Sequence, residues 1–251
     1  MRSRRSCAAH RTRGAASARR ILVVLASLAL GSVALACLPE TGPPPGPQPR
    51  RVAIYGDSLL HSSAPVWRTT LEEQLPDWAL LERASWGSAP CDHLEQMVAD
   101  ARSSWNVRVV VLGFFGNTLT ACSKDRPAEA MYRSDLTRAV DLWLNRGVRV
   151  VLVVPPGRVG DEPYSEAGRA ALAVARDRRV TLVDTTGSFV DPASGTFAGQ
   201  VDGTVLRSPD GIHLCNHRAF GEAVCPTDAP GAVRYATPIA NAVVAEARLV
   251  K

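Results

Sequence analysis

The strongest constraint on the fold is a regular alternation of short apolar runs and longer amphipathic segments between residues 51 and 251. Residues 107–112 and 148–154 are almost continuously apolar, which is typical of strands buried on both faces of a parallel sheet. Strands that alternate with helices in this way form a parallel sheet with helices on both sides. We therefore predict an α/β domain with three α/β/α layers and a mainly parallel sheet.

The periodicity also predicts the individual elements. The predicted strands are residues 51–55, 78–82, 107–112, 148–154 and 180–183, and the predicted helices are residues 66–74, 92–103, 127–146, 165–178 and 238–249. Asp92 is expected to cap the second helix, and Pro127 suits the first turn of the third. Because parallel strands end at the same edge, the loops after the first and third strands should lie close together.

The N-terminal segment has a different character. Residues 1–20 hold seven arginines and no acidic residue, residues 21–38 are apolar, and Ala34-Leu35-Ala36 fits a cleavage site. This pattern predicts a secretory signal peptide over residues 1–36. An uncleaved membrane anchor is the alternative, because about 18 apolar residues is the lower limit for a spanning helix. Cys37 directly follows the site, so a lipoprotein with a lipid on Cys37 is a third reading.

Composition separates this leader from the rest of the chain. Residues 37–50 are rich in proline and glycine, which predicts an extended tether to a single domain over residues 51–251. Residues 1–50 carry a net charge of +7 and residues 51–251 a net charge of −2. The domain therefore gives no support to nucleic-acid binding. We expect an exported monomer, extracellular or on the outer face of the cell membrane, attached only through its N-terminal segment or a lipid on Cys37.

A serine stands directly after the first predicted strand. The turn Gly56-Asp57-Ser58 would expose the Ser58 hydroxyl at the carboxyl edge of the sheet, where open α/β folds bind ligands. Near the end of the chain, Asp210 precedes His213 by three residues, which suits an orienting carboxylate and a general base. Each motif alone is more often a simple turn, since Gly, Asp and Ser are common turn formers. In combination they predict a serine hydrolase or acyltransferase.

Two further blocks follow the second and third strands, Ala84-Ser85-Trp86-Gly87 and Phe114-Phe115-Gly116-Asn117. Together with the serine turn and Asp210-Gly211-Ile212-His213, they resemble the four blocks of the SGNH hydrolases (GDSL-type esterases and lipases) in order and spacing. The resemblance covers residues 51–251. The asparagine block departs from the family's Gly-x-Asn-Asp at its first and last positions. The runs Phe-x-Gly-Asn-x-x-Thr-x-Cys and Gly-Ser-Ala-Pro-Cys-Asp resemble an extracytoplasmic branch, similar to the SGNH domains attached to membrane acyltransferases.

The resemblance implies a flavodoxin-like SGNH hydrolase fold with a catalytic triad of Ser58, His213 and Asp210. It also implies an oxyanion hole formed by the N–H groups of Ser58 and Gly87 and the side-chain amide of Asn117. No cofactor and no metal is implied. The expected substrate is an acyl ester on a cell-surface glycan or lipid. O-acyl transfer at the same site and a non-catalytic cell-surface binding domain on the same fold are the alternatives.

Four cysteines in the predicted domain fit an oxidising compartment, which favours two disulfides over four free thiols. Three pairings exist, and we predict Cys91–Cys122 and Cys215–Cys225. The second pair closes a short loop beside the His213 segment. The first pair joins two loops expected at the edge of the sheet that carries the site.

Other residues compete for roles in the predicted site. His217 lies four residues after His213 but lacks a preceding Asp at similar spacing, so His213 is the expected base. A zinc site made by His213, Cys215 and His217 lacks a second Cys/His cluster and is the weaker interpretation. His61 and His93 would either line the rim of the pocket or be solvated loop residues, and we expect the second. The aromatic residues of the two middle blocks would form either an acyl pocket or core, namely Trp86, Phe114 and Phe115.

Overall fold

The computed structural model describes residues 48–161, 164–216 and 224–250. The predicted signal peptide over residues 1–36, the possible lipid site at Cys37 and most of the tether lie outside the described residues, as does His217. Within the described ranges, no helix combines the length and the apolar character that crossing a membrane requires.

A five-stranded parallel sheet forms the centre of the domain. Its strands are β1 (Arg50–Gly56), β2 (Trp78–Glu82), β3 (Val107–Gly113), β4 (Arg149–Val154) and β5 (Thr181–Asp184). The order across the sheet is β2-β1-β3-β4-β5, and every neighbouring pair is parallel. This is the flavodoxin-like strand order, so the predicted α/β fold class is confirmed.

Side chains of the central strands alternate between two apolar clusters. On β1, Val52 and Ile54 belong to one cluster, whereas Ala53 and Tyr55 belong to the other. The same alternation holds on β3 and β4, whose residues are apolar at nearly every position because both faces of the sheet are covered. The continuous apolar runs in the sequence therefore correspond to strands whose two faces are both buried in the structure.

Six α-helices are present among the described residues. They are α1 (Ser58–Ser62), α2 (Ala64–Gln74), α3 (Pro90–Arg102), α4 (Ala128–Leu144), α5 (Glu166–Arg178) and α6 (Pro230–Arg248). Helices α2 and α6 pack together on one face of the sheet, and α3, α4 and α5 form the opposite layer. The three predicted layers are therefore present.

Three helix starts differ from the predictions by two residues or more, and α2 begins at Ala64, two residues before the predicted start. Helix α6 begins at Pro230, eight residues before the predicted start at Pro238, which lies inside the helix. Pro238 removes one backbone hydrogen bond, but the fully buried Tyr235 and Ala236 just before it keep the preceding turn packed against the core. Helix α3 begins at Pro90, and Asp92 instead lies in the first turn, where its carboxylate accepts a hydrogen bond from the N–H of Ala89 at 2.8 Å.

Three short elements were not predicted. They are helix α1, a 3-10 helix over Thr186–Phe189 and a two-stranded hairpin made by β6 (Gln200–Val201) and β7 (Thr204–Val205). Elements of two to five residues are too short to show a hydrophobic period. The hairpin leads directly into the segment that carries Asp210 and His213.

Candidate active site

Ser58 is the first residue of α1, immediately after the carboxyl end of β1. The strand ends close to β3 because both strands finish in glycine. A methyl group on Gly56 would lie 2.4 Å from the carbonyl oxygen of Gly113 and 2.4 Å from Cδ1 of Leu60, and one on Gly113 would lie 2.7 Å from the same Leu60 atom. Leu60 of α1 thus packs where side chains would otherwise stand. Ser58 itself is buried, with 7% of its surface exposed.

Asp57 connects the serine turn to the loop after β3. Its side chain is fully buried and accepts three hydrogen bonds, from the N–H of Leu59 at 3.0 Å, from the N–H of Phe115 and from Nδ2 of Asn117 at 3.3 Å. Burial raises the pKa of Asp57 to about 7, while the backbone N–H groups that donate to it act in the opposite direction. Asp57 therefore braces the turn.

The glycine block lies beside the same turn. The N–H of Ser85 donates to the carbonyl oxygen of Gly56 at 2.9 Å, and the Ser88 hydroxyl contacts the same oxygen at 3.1 Å. Gly87 has a φ of +67°, in the left-handed region that favours glycine. The structure thus places Gly87 in a loop tied to the end of β1.

Asn117 reaches this loop from the end of β3. Its amide nitrogen donates to the carbonyl oxygen of Ser88 at 2.9 Å and to Asp57 at 3.3 Å. The Tyr132 hydroxyl donates to the Asn117 carbonyl oxygen at 3.1 Å and fixes the backbone of the loop. Both amide hydrogens of Asn117 therefore have acceptors within the protein. To bind an oxyanion, Asn117 would have to give up one of these bonds, and the weaker one is the longer bond to Asp57.

Asp210 and His213 form the second half of the candidate site. His213 Nδ1 lies 2.7 Å from Oδ2 of Asp210. The other carboxylate oxygen accepts hydrogen bonds from the N–H of Ile212 at 2.8 Å, from the N–H of His213 at 3.0 Å and from the Ser208 hydroxyl. Burial alone would raise the pKa of Asp210, but the bonds from His213 and Ser208 outweigh it and hold the pKa well below its usual range.

This arrangement determines which imidazole nitrogen can act. A charged Asp210 accepts a hydrogen from Nδ1 of His213, which leaves the lone pair on Nε2 for a proton transfer. The turn itself is closed by the Ser208 N–H, which donates to the His213 carbonyl oxygen at 2.7 Å. A short segment with an Asx-type turn thus presents a histidine with one defined basic nitrogen.

Trp86 of the glycine block touches the candidate base. Its ring centroid lies 4.9 Å from that of His213 and 5.9 Å from that of His61, and 40% of its surface is exposed. The two phenylalanines behave differently: Phe114 is buried in one core cluster, and Phe115 packs partly buried against the other. Of the three aromatic residues considered for an acyl pocket, only Trp86 stands exposed beside His213.

The remaining histidines do not follow the expectation of solvated loops. His93 is buried on α3, where its Nε2 lies 2.8 Å from the Ser88 hydroxyl, and burial lowers its pKa. His61 belongs to α1, and its Nδ1 lies 3.3 Å from a carboxylate oxygen of Glu82. The expectation of solvation was wrong for His93 because the predicted helix turns that residue inward, and the loop position was wrong for His61 because the sequence does not show that α1 exists.

Both predicted disulfides are present. Cys91 at the start of α3 pairs with Cys122 in the loop after β3, and Cys215 pairs with Cys225. The N–H of Cys225 also donates to the carbonyl oxygen of Ser62 at 2.7 Å. The second disulfide therefore connects the His213 segment to the end of the helix that begins with Ser58.

The disulfides also remove the candidate metal ligands. Cys215 is bonded to Cys225, so it offers no thiolate for the zinc site considered with His213. Within the described ranges, the one cluster with ligand-like spacing is Cys91, Asp92 and Cys122, and its two sulfurs are bonded to each other.

Hydrogen bonds and ring contacts join all four sequence blocks. Several residues that make these or supporting contacts were not predicted from the sequence. Ser88, Tyr132 and Ser208 hold the site together, but serines and tyrosines at such positions have no distinctive spacing in the sequence. Their roles follow from tertiary contacts alone.

Comparison with solved structures gives the fold an external reference. The lipase/acylhydrolase from Enterococcus faecalis matches with a TM-score of 0.54 at 16% identity, covering 78% of this chain and 96% of that one. A GDSL-like lipase from Bacteroides thetaiotaomicron matches with a TM-score of 0.54 at 13% identity, covering 78% and 88%. A mutant of an acetyl-xylooligosaccharide esterase from Geobacillus Stearmophilus matches with a TM-score of 0.55 at 13% identity, covering 78% and 94%.

These likenesses show that the chain has the fold of the GDSL-like and SGNH-type hydrolases. No protein-family model matches the sequence, and no curated relative matches it. The similarity to acyltransferase-attached domains stays a prediction.

Proposed function

We propose that this protein is an exported serine esterase that hydrolyses acyl esters through Ser58, His213 and Asp210. The observation that carries the proposal is the 2.7 Å hydrogen bond from His213 Nδ1 to Asp210, in a segment connected through Cys225 to the helix that begins with Ser58. A histidine oriented by a carboxylate is the general base that a serine nucleophile needs.

The reaction begins when the Ser58 hydroxyl attacks the acyl carbonyl carbon. Nε2 of His213 takes the hydroxyl proton, and Asp210 stabilises the imidazolium that forms. Collapse of the tetrahedral intermediate breaks the ester bond, and His213 returns the proton to the departing alcohol. A water molecule then attacks the acyl-serine while His213 takes its proton. The bond between the acyl carbon and Ser58 Oγ breaks, His213 returns the proton to Ser58, and the acyl group leaves as the carboxylic acid.

Three hydrogen-bond donors are candidates to stabilise the negative charge that develops on the carbonyl oxygen. They are the N–H groups of Ser58 and Gly87 and the amide of Asn117, and one such donor is typically worth about 2.7–4 kcal/mol of barrier. Asn117 would contribute by exchanging its 3.3 Å bond to Asp57 for a bond to the oxyanion. Because Asp57 keeps its two backbone N–H donors, that exchange leaves its carboxylate satisfied.

The fold supports ester hydrolysis as the reaction class, since similar structures are described as lipases, acylhydrolases and an acetyl-xylooligosaccharide esterase. Two disulfides are consistent with an oxidising compartment. We propose a cell-surface glycan or lipid as the bearer of the ester. Transfer of the acyl group to a sugar hydroxyl would use the same acyl-serine, with an alcohol in place of water.

The test compares Ser58→Ala with Ser62→Ala on the purified domain. Ser62 lies in the same helix and is also buried, so it controls for the loss of a hydroxyl in α1. Hydrolysis of p-nitrophenyl esters of graded chain length should disappear in the first variant and persist in the second. A fluorophosphonate probe should label Ser58. Labelling at another serine, or unchanged turnover in Ser58→Ala, would show that the proposal is wrong.

Two further assays separate the alternatives. Release of acetate from acetylated sugars in water indicates hydrolysis, whereas acylation of an added sugar at the expense of water indicates transfer. A protein that binds acylated glycans but neither turns over nor reacts with the probe would be a binding domain. We expect turnover to survive prolonged treatment with a strong chelator, because the proposed steps need no metal.

A further inference from the structure

Arg207 is a buried cation close to the candidate base. Only 4% of its surface is exposed. Nη1 of its guanidinium donates to the carbonyl oxygen of Ile212, and Nη2 donates to the carbonyl oxygen of Gly157 at 2.9 Å. The guanidinium lies 4.6 Å from the centre of the Phe189 ring. Arg207 therefore joins two separate loops and rests on an aromatic face.

The burial of this charge is costly. Among the salt bridges of the described residues, none involves Arg207, and its buried Nε has no hydrogen-bond partner. A buried charge without a carboxylate partner loses its hydration and gains no ion pair in return. Burial lowers the pKa of Arg207 to about 10, against the opposing effects of Tyr235 and Asp210. A neutral side chain of similar size would fill the space with a smaller desolvation cost. What such a side chain would lack is the pair of hydrogen bonds that the guanidinium donates to two carbonyl oxygens.

The Ile212 carbonyl belongs to the peptide unit that enters His213. The N–H of that same peptide unit donates to Asp210 at 3.0 Å. Arg207 thus holds the oxygen side of the peptide plane, and Asp210 holds the nitrogen side. With both sides bonded, the plane cannot rotate without breaking a hydrogen bond, so the direction in which the His213 side chain leaves the backbone is fixed.

The second bond of Arg207 leads back to the sheet. Gly157 follows β4 and the pair Pro155-Pro156, so its carbonyl belongs to the edge where the strands end. A second hydrogen bond, from the N–H of Val159 to the Gly211 carbonyl oxygen at 2.9 Å, joins the same two loops. The segment with the base has no strand of its own in the large sheet, and these bonds connect it to that sheet.

We propose that Arg207 is a positioning residue that fixes the Ile212–His213 peptide unit against the loop after β4 and thereby aims His213 at Ser58. This inference rests on the proposed esterase function. Arg207 acts through His213 and not on the substrate, so its loss should lower kcat and leave KM nearly unchanged.

The experiment uses Arg207→Ala, Arg207→Lys and the control Arg234→Ala on the whole exported domain. Arg234 also donates to a backbone carbonyl, that of Ser188 at 3.1 Å, but makes no bond to the base segment. A misplacement of about 1 Å can cost about 10²-fold in rate, and we expect a kcat loss of that order in Arg207→Ala and none in Arg234→Ala. Lysine supplies one compact ammonium in place of a fork, so Arg207→Lys should recover only part of the rate.

Rescue by free guanidinium separates positioning from general damage to the fold. A cavity of about 800 Å³ borders Arg207, which gives a small cation access to the space that the alanine leaves. Guanidinium at millimolar concentration should raise the kcat of Arg207→Ala at least about tenfold toward the normal value, with no effect on Arg234→Ala or the parent. Unchanged kcat in both Arg207 variants, or a loss in a folded Arg207→Ala that guanidinium does not restore, would overturn the proposal. If Arg207→Ala does not fold, a normal kcat in Arg207→Lys would overturn it.

A spectroscopic readout distinguishes this proposal from the proposed function. The sample is the Ser58→Ala protein with 15N-labelled histidine, studied by proton NMR. The Nδ1 proton of His213 should give a downfield signal that is protected from exchange with water, and the absence of this signal in His213→Ala identifies it. Arg207→Ala should broaden that signal through exchange with water, and guanidinium should restore it. An inactive parent with this behaviour would refute the esterase function but not the positioning role. An unaffected signal in Arg207→Ala would refute the positioning role alone.

Discussion

The two halves of the candidate site are built in different ways. The Ser58 half is part of the sheet and its core. Ser58 follows the end of β1, glycines at the ends of β1 and β3 let α1 pack closely, and Asp57 is fully buried. The Asp210–His213 half is an irregular turn whose side chains are partly exposed, and it is held by side-chain hydrogen bonds and a disulfide. The sheet therefore positions Ser58, the proposed nucleophile, whereas individual polar contacts position His213, the proposed base.

This difference separates two kinds of mutational effect. Substitutions around Ser58 should lower the free energy of unfolding together with activity, because the same contacts form the core. Substitutions of Asp210 or His213 should lower activity while the fold persists, because both side chains are partly exposed and lie outside the apolar clusters.

After Ser58→Ala, the largest expected effect on rate comes from Asp210→Asn. An amide in place of the carboxylate favours the wrong imidazole tautomer, and such a change can cost about 10⁴-fold in kcat. The hydrogen bonds that lower the pKa of Asp210 contribute to stability, but Asp210 is exposed, so the melting temperature should fall only modestly. Asp202→Asn, in the exposed turn of the β6–β7 hairpin, is the matched control and should keep full activity. Full activity in Asp210→Asn would remove Asp210 from the mechanism.

Asp57→Asn tests the other half and should damage stability and activity together. In Asp57→Asn, an amide N–H group would face N–H donors that now donate to the carboxylate. Each buried donor left without an acceptor lowers the free energy of unfolding by about 1–3 kcal/mol. Urea unfolding of Asp57→Asn beside the exposed Asp77→Asn measures the difference in the free energy of unfolding. Loss of activity with no change in that free energy would contradict the contrast between the halves.

The pH dependence of stability provides a second measurement at Asp57. Its pKa is raised from an ordinary value of 3.8 to about 7 in the folded protein, so the folded state binds the proton more tightly than the unfolded chain. The stability that this proton contributes is fully present below pH 4 and is lost as the pH rises through 7. Comparing unfolding at pH 5 and pH 8, we expect a smaller decrease in Asp57→Asn than in the parent. Equal decreases would show that Asp57 does not titrate in this range.

Removal of the Cys215–Cys225 disulfide by paired serine substitutions should have a moderate effect. A disulfide typically contributes about 2–4 kcal/mol, mainly by constraining the unfolded chain. The loop between these cysteines is short, so we expect the loss of activity to exceed what the fall in stability explains. The serine pair at Cys91 and Cys122 is the comparison. If activity and melting temperature fell in parallel in both pairs, the disulfide at the base segment would have no special local role.

Trp86→Ala should have the smallest effect. Its ring lies 4.9 Å from His213, and a cation–π contact with the imidazolium is worth about 0.5–1 kcal/mol at an exposed site. We therefore expect kcat to fall by about 2–5-fold. Trp105→Ala is the control, because Trp105 is similarly exposed but packs against Arg51 and Arg83. A loss above 10²-fold would mean that Trp86 fixes the position of the base.

The contrast also explains how much could be predicted from the sequence. The strands of the sheet were predicted within one residue at each end, because burial on both faces leaves a continuous apolar run. Ser58 stands next to such a run, so its place at the sheet edge followed. The paired cysteines followed from their number and their loops.

The rest depends on contacts that have no local pattern. The Asn117 amide is engaged by Ser88 and Asp57, and Arg207 bonds to carbonyl groups 5 and 50 residues away along the chain. Proline at position 238 predicted a helix start, but tertiary packing carries α6 through it. Local preference indicates where an element can begin, and the core decides where it does.

The bond between Cys215 and Cys225 also bears on when such an enzyme would become active. Disulfides form and persist in oxidising surroundings and are rare in a reducing cytoplasm. If the protein is exported as we propose, a newly made chain would lack the covalent link beside His213 until it left the cell interior. Timing of this kind would spare the esters of the cell that synthesises the protein and reserve full activity for the far side of the membrane.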